Sequence, residues 1–174
     1  MTAYPMLPAM NDQIYSLAEK LGTLLARNKL MLTTAESCTG GGVGYALTAI
    51  PGSSVWYSGG IVAYCNDLKK AVLGVDGQTL DLYGAVSENV AREMQSGALK
   101  VSGADVSIST TGIAGPGGGT KEKPTGTVCF AFGTKTQQNS YTRLFEGDRD
   151  QVRLQAIEAC LMSLIQFLDN QNTV

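Results

Sequence analysis

The stretch from residue 30 to residue 50 constrains the fold most. Leu30 to Thr34 is a short apolar, β-compatible run, and it stops at AESCTGGG (35–42), where three consecutive glycines precede a helical pattern through Ala46, Leu47 and Ile50. A short apolar run, a glycine turn and a 3.6-residue periodicity in succession make a strand, tight turn, helix unit. Its surroundings repeat the alternation. Ile14, Leu17, Ala18, Leu21, Leu24 and Leu25 mark an amphipathic helix ending near Asn28, SGGIVAYC (58–65) reads as a strand, and NDLKKAVL (66–73) turns helical. Residues 87–101 form a helix with Ser87 as N-cap, Glu88 in the first turn, Lys100 in the last and Gly103 just beyond. ADVSISTTG (104–112) is a strand alternating Val106, Ile108 and Thr110 with Ser107, Ser109 and Thr111. GTVCFAFG and SYTRLF follow as adjacent strands, and a long helix with Asp148 or Asp150 near its start closes the chain. This order predicts a single-domain α/β fold, a three-layer α/β/α sandwich around a mixed β-sheet.

At 174 residues one domain is expected, large enough to hide roughly 70% of the unfolded surface without disulfides or metals. Residues 1–10, with Pro5 and Pro8, read as a loose tail, and 11–170 as the domain. The net charge of −2 and a pI near 5.1 argue against a general nucleic-acid binder. The four cysteines, Cys38, Cys65, Cys129 and Cys160, lie far apart without metal-ligand spacing, and read as reduced thiols. No apolar run is long enough to span a membrane, and the first residues lack the pattern of a secretory signal. A cytoplasmic location is expected.

Histidine is absent from the chain. That excludes a Ser-His-Asp or Cys-His pair and leaves acid–base work to Lys, Tyr, Asp, Glu or Cys. Thr33 to Gly42 (TTAESCTGGG) sets two hydroxyls, Ser37 and Thr39, and the Cys38 thiol between a strand end and a helix start. Backbone N–H groups there can hold an anion or a developing oxyanion. The same residues also read as an ordinary βα turn with Ser37 or Thr39 as the cap. Tyr64, Asn66, Asp67, Lys69 and Lys70 gather at the next strand-to-helix junction. Lys69 could activate Ser37 if it were desolvated, because a lysine at its ordinary pKa of ~10.4 is charged. On the residues alone, Lys69 and Lys70 read more readily as solvated helix-surface charges. The loop GIAGPGGGTKEKP (112–124) is long enough to suggest function, either as an anion nest or as a plain connector. Arg143, Arg149 and Arg153 could meet a phosphate, or pair with Asp148 and Asp150.

At these residues the chain resembles the CinA C-terminal domain family, whose stand-alone members are nicotinamide-nucleotide amidohydrolases. The resemblance rests on TTAESCTGG (33–41), YCNDLKK (64–70), GAVSENVAREM (84–94), ADVSISTTGIAGPGGGTKEKPTGTV (104–128) and FEGDRDQVR (145–153), in family order over about residues 11–168. It implies hydrolysis of the carboxamide of nicotinamide mononucleotide to nicotinic acid mononucleotide and ammonia, without metal or cofactor. It implies Ser37 as nucleophile with Tyr64 and Lys69 as activating partners, Cys38 being the competing nucleophile. Cys38, Thr39, Gly40, Gly41, Thr111, Gly112, Gly115 and Arg149 would hold the nucleotide. It also implies self-association, with a homodimer expected. Cys65 stands where the family more often has Ser, Tyr83 where it often has His, and Cys129 where it often has Trp. The rival readings are a Ser-Lys amidase for another substrate and a catalytically silent nucleotide-binding module.

Overall fold

The computed structural model describes residues 11–171; the expected tail, residues 1–10, lies outside the described residues. Its elements are α1 (Asp12–Asn28), β1 (Leu32–Glu36), α2 (Gly42–Thr48), a 3-10 turn (Ser53–Val55), β2 (Tyr57–Val62), α3 (Asn66–Leu73), α4 (Gly77–Tyr83), α5 (Glu88–Ser102), β3 (Val106–Gly112), β4 (Thr127–Gly133), β5 (Gln138–Leu144) and α6 (Arg149–Gln171). They form one α/β unit around a five-stranded sheet of order β2-β1-β3-β4-β5. β1 runs parallel to both β2 and β3, whereas β4 is antiparallel to β3 and to β5, so the sheet is mixed.

Strand alternation sorts the two faces. Leu32, Val106, Ile108, Val128 and Phe130 pack against α1, α2 and α6 in the main core. There Leu21 and Leu25 of α1 and Leu161 and Leu164 of α6 are fully buried, each worth about 1.5–3 kcal/mol relative to exposure. Ala35 faces the other way, towards Leu73, Leu80, Val90, Met94 and Ala98 of α3, α4 and α5.

β3 is buried on both faces. Its alternating hydroxyls point not to water but to α5 and the segment leading into it: Ser107 Oγ donates to the Gln95 carbonyl at 2.9 Å, Ser109 Oγ to Ala91 at 2.6 Å and Thr111 Oγ1 to Ala85 at 2.7 Å. Two strand residues advance ~6.8 Å and one helical turn ~5.4 Å, so Ser107 and Ser109 meet carbonyls one turn apart on α5, while Thr111 meets one in the segment that leads into the helix. Small side chains bring α5 close to the sheet, and the hydrogen bonds satisfy their buried oxygens.

Three elements differ from expectation. β2 spans Tyr57–Val62 rather than 58–65, because its pairing with β1 ends at Glu36 opposite Val62, and Cys65 already caps α3. β1 begins and ends two residues later than the 30–34 run, because Ala35 and Glu36 continue the ladder to β2 and β3. The helix α4 has no apolar period to announce it, since it is seven residues long and buries only Leu80; Asp76 caps it by accepting from the Gln78 N–H at 2.9 Å.

The chain leaves β1 towards β2 and leaves β3 towards β4, in opposite directions across the sheet. Between two such neighbouring strands their C-terminal ends part into a crevice, the usual ligand position in α/β sheets.

Candidate active site

A cavity of about 290 Å³ occupies that crevice. Ser37 and Cys38 enter it from the end of β1, Tyr64, Asn66 and Lys69 from the β2–α3 junction, Ala85 and Val86 from the approach to α5, Thr111 to Gly115 with Gly117 and Gly118 from β3 and the glycine loop, and Arg149 from the start of α6. No acidic side chain lines it.

Lys69 is the largest fully buried side chain among the described residues, at 1% exposure. It sits one turn into α3, and its side chain reaches back over the helix start. Nζ lies 3.0 Å from Ser37 Oγ, 3.0 Å from the Ala63 carbonyl and 3.3 Å from the Tyr64 carbonyl. Among the described residues no carboxylate forms an ion pair with it. Burial without a counter-ion disfavours the ammonium, and the pKa of Lys69 falls below its ordinary 10.5. Three partners suit both protonation states. As an ammonium, Lys69 donates to all three oxygens; as an amine, it donates to the two carbonyls and turns its lone pair to the Ser37 hydroxyl. Lys70, the next residue, pairs in solvent with Asp67 at 2.9 Å.

Cys38 is also at the cavity wall, but desolvation pushes its thiol up to about 12, so it is a thiol rather than a thiolate near neutrality. The Tyr64 hydroxyl does not reach Ser37 or Lys69. It accepts from Arg149 at 3.0 Å, while the other terminal nitrogen of Arg149 donates to the Gly115 carbonyl at 2.8 Å. One guanidinium thus joins α6, the β2–α3 junction and the glycine loop at the cavity, with further N–H donors to offer an anion.

The structure does not bring Thr39, Gly40 and Gly41 to the cavity wall. Thr39 is fully buried, its hydroxyl on Glu36 and Thr110, and the Gly40 N–H is given to the Ser37 carbonyl at 3.0 Å. Arg153 donates to the Thr39 carbonyl at 3.2 Å, and Arg143 lies over the Phe145 ring. Neither expected Ser37 nor Thr39 caps α2. Gly41 is its cap residue and has no side chain to offer; instead the Glu36 carboxylate accepts from the Val43 N–H at 3.0 Å and the Gly44 N–H at 2.8 Å. Sequence reasoning missed Glu36. The available signal was a helix opened by glycines alone, which must borrow its cap from elsewhere.

The model of the CinA C-terminal domain matches residues 14–168. The chain belongs to the CinA C-terminal domain family. Among its relatives in that family, the nicotinamide-nucleotide amidohydrolase PncC of Escherichia coli (strain K12) is 48% identical over 162 residues, covering 92% of this chain and 98% of that protein. PncC of Pseudomonas putida is 45% identical, covering 90% and 98%. A CinA-like protein of Chlorobaculum tepidum is 48% identical over 86% of this chain, which corresponds to 37% of that longer protein. The crystal structure of the competence/damage inducible protein CihA from Agrobacterium tumefaciens superposes with a TM-score of 0.86 at 40% identity, covering 97% of this chain and 99% of that one. The chain therefore has the CinA-type fold and matches 98% of the length of these PncC relatives. None of the helices among the described residues is long and apolar enough to cross a membrane.

Proposed function

We propose that this chain hydrolyses the carboxamide of nicotinamide mononucleotide to nicotinic acid mononucleotide and ammonia, with Ser37 as nucleophile and Lys69 as general base and acid. The observation that carries this reading is the buried Lys69 amine, 3.0 Å from Ser37 Oγ and without a carboxylate partner. In a chain without histidine it supplies the base that a serine nucleophile needs. PncC relatives matched along almost their whole length support the substrate class.

Neutral Lys69 takes the Ser37 proton as Oγ bonds to the carboxamide carbon, and the carbonyl electron pair moves onto oxygen. The N–H of Cys38, next to the nucleophile, is the oxyanion donor we assign. Collapse breaks the C–N bond, and the Lys69 ammonium gives its proton to the departing nitrogen, releasing ammonia. Lys69 then deprotonates the water that attacks the Ser37 ester, and Ser37 leaves as a reprotonated hydroxyl with the acid as product. Ala63 and Tyr64 carbonyls hold the amine through both protonation states. Arg149, in a cavity without acidic walls, meets the 5′-phosphate.

The test is ammonia release from nicotinamide mononucleotide, nicotinamide riboside and NAD by the wild type, Ser37→Ala and Cys38→Ala. Release from the mononucleotide that is lost in Ser37→Ala and kept in Cys38→Ala is expected. A folded wild type that binds the mononucleotide and releases no ammonia would instead be a silent binding module.

A further inference from the structure

Glu36 is the one buried acidic side chain among the described residues, at 2% exposure, and it is in none of their ion pairs. Its charge is met by hydrogen bonds alone. Oε2 accepts from Thr39 Oγ1 at 2.7 Å and the Val43 N–H at 3.0 Å; Oε1 accepts from the Gly44 N–H at 2.8 Å and, more weakly, from Thr34 Oγ1 at 3.4 Å. Such charge-assisted bonds are about twice as strong as neutral ones. A Cβ at residue 44 would stand 2.8 Å from the Tyr57 hydroxyl, which would have to shift, and in ordinary contact with Glu36 Oε1 at 3.5 Å.

The last residue of β1 thus faces α2, and the next residue, Ser37, faces Lys69 on α3. Between Ser37 and α2 the backbone passes through Gly40 and Gly41, both in the left-handed region at φ 62° and 91°. Glycines do not hold such a turn rigid by themselves. Glu36 spans it, binding Thr39 inside the turn and Val43 and Gly44 beyond it, and Thr110 ties the same turn to β3 through Thr39 Oγ1 at 2.8 Å and the Ser37 N–H at 2.9 Å. We infer that Glu36 is a positioning residue for the reaction. Its carboxylate fixes the end of β1 and the nucleophile turn on one face of the sheet, so that Ser37 Oγ is held opposite Lys69 on the other. This rests on the assignment of Ser37 as nucleophile.

Glu36→Gln keeps the size of the side chain but places an NH2 against N–H and hydroxyl donors. A nucleophile displaced by about 1 Å loses on the order of 100-fold in rate, so kcat should fall by about that factor with KM nearly unchanged. The pH profile of the remaining activity should keep the wild-type apparent pKa, because no group around Lys69 is altered. Leu161→Ala, in the α1–α6 core away from the cavity, controls for lost stability; it should lower Tm and leave kcat intact where the protein is folded. Should Glu36→Gln fail to fold, Thr39→Val removes one donor and keeps the carboxylate, and should lose kcat by a smaller factor, of order 10. Wild-type kcat in whichever of these two variants folds, or an equal loss in Leu161→Ala at matched Tm, would overturn the inference. Wild type and Ser37→Ala are run alongside; an active Ser37→Ala would remove the nucleophile assignment itself, whereas its inactivity beside a fully active Glu36→Gln would remove only the role of Glu36.

Discussion

Lys69 and Lys70 are consecutive residues of α3 with opposite surroundings: the Nζ of Lys69 is buried 3.0 Å from Ser37 Oγ, and the Nζ of Lys70 is in solvent 2.9 Å from Asp67. Only the first can exchange a proton with Ser37, the proposed nucleophile. Removing a positioned general base costs about 10²–10⁴-fold, so Lys69→Met should lower kcat within that range while circular dichroism shows a folded protein. Lys70→Ala, which breaks only an exposed pair, should retain kcat within a factor of about two. Equal losses in the two variants would contradict the assignment.

Tyr64 acts through two different groups. Its main-chain carbonyl holds Lys69, and its hydroxyl holds Arg149. Tyr64→Phe keeps the carbonyl and removes only the link to the arginine, so its effect should appear in KM for nicotinamide mononucleotide, with kcat changed less. Arg149→Gln removes the guanidinium and should raise KM further, by about 10-fold or more, as expected for a lost charge-assisted contact worth ~1.5–3 kcal/mol. A Tyr64→Phe variant with normal KM and collapsed kcat would instead place the hydroxyl in the proton relay.

The fold class was legible because hydrophobic periodicity switches between 2 and 3.6 along the chain, and glycines mark the junctions. Of the candidate site, the meeting of Ser37 with Lys69 was legible, because an absent histidine and a glycine-rich βα turn leave few chemistries. What escaped depends on contacts between distant residues. Ser107, Ser109 and Thr111 resemble a solvent face, yet the carbonyls of α5 and its approach cover them. Glu36 resembles a turn residue because a carboxylate is costly within a central strand; four donors offset that cost, two of them from α2, seven and eight residues on. The different fates of Lys69 and Lys70 follow from the β1–β2 pairing that brings Ala63 beside Glu36 and Ser37. Arg149 and Tyr64, 85 positions apart, meet only because of the order of the sheet.

The lowered pKa of Lys69 has consequences for rate and for stability. The neutral amine is the reactive form, so kcat should rise with pH through that lowered pKa and then level. For folding, the unfolded chain holds the Lys69 proton up to about 10.5 while the native state releases it earlier. Between the two values the unfolded state binds more protons, so this group's contribution to stability increases with pH. Below that window both states are charged and the buried ammonium destabilises the fold in full; above it both are neutral. Lys69→Met does not titrate. The Tm difference, Lys69→Met minus wild type, should therefore shrink as pH rises towards 10.5. Burial also raises the Cys38 thiol above its ordinary 9.0, and those of Cys129 and Cys160. Their stability is lost as pH rises beyond 9.0, equally in both proteins, and cancels in the difference. A flat difference would show that Lys69 titrates at its ordinary value.

Gly97 tests how α5 seats against α3. It lies in the interior of α5, where helix propensity favours alanine over glycine by about 1 kcal/mol. A Cβ on Gly97, however, would overlap the Leu73 carbonyl at the end of α3, a backbone atom that no rotamer change can move. Overpacking of this kind costs about 1–3 kcal/mol. It exceeds the propensity gain, so Gly97→Ala should destabilise the protein, lowering Tm in thermal unfolding. Since α3 also carries Lys69, the displacement has a second readout: relief of the overlap by moving α3 shifts Nζ away from Ser37 Oγ, and kcat should fall at temperatures where the variant is still folded. A stabilised and fully active Gly97→Ala would mean that propensity outweighs the close approach of the two helices.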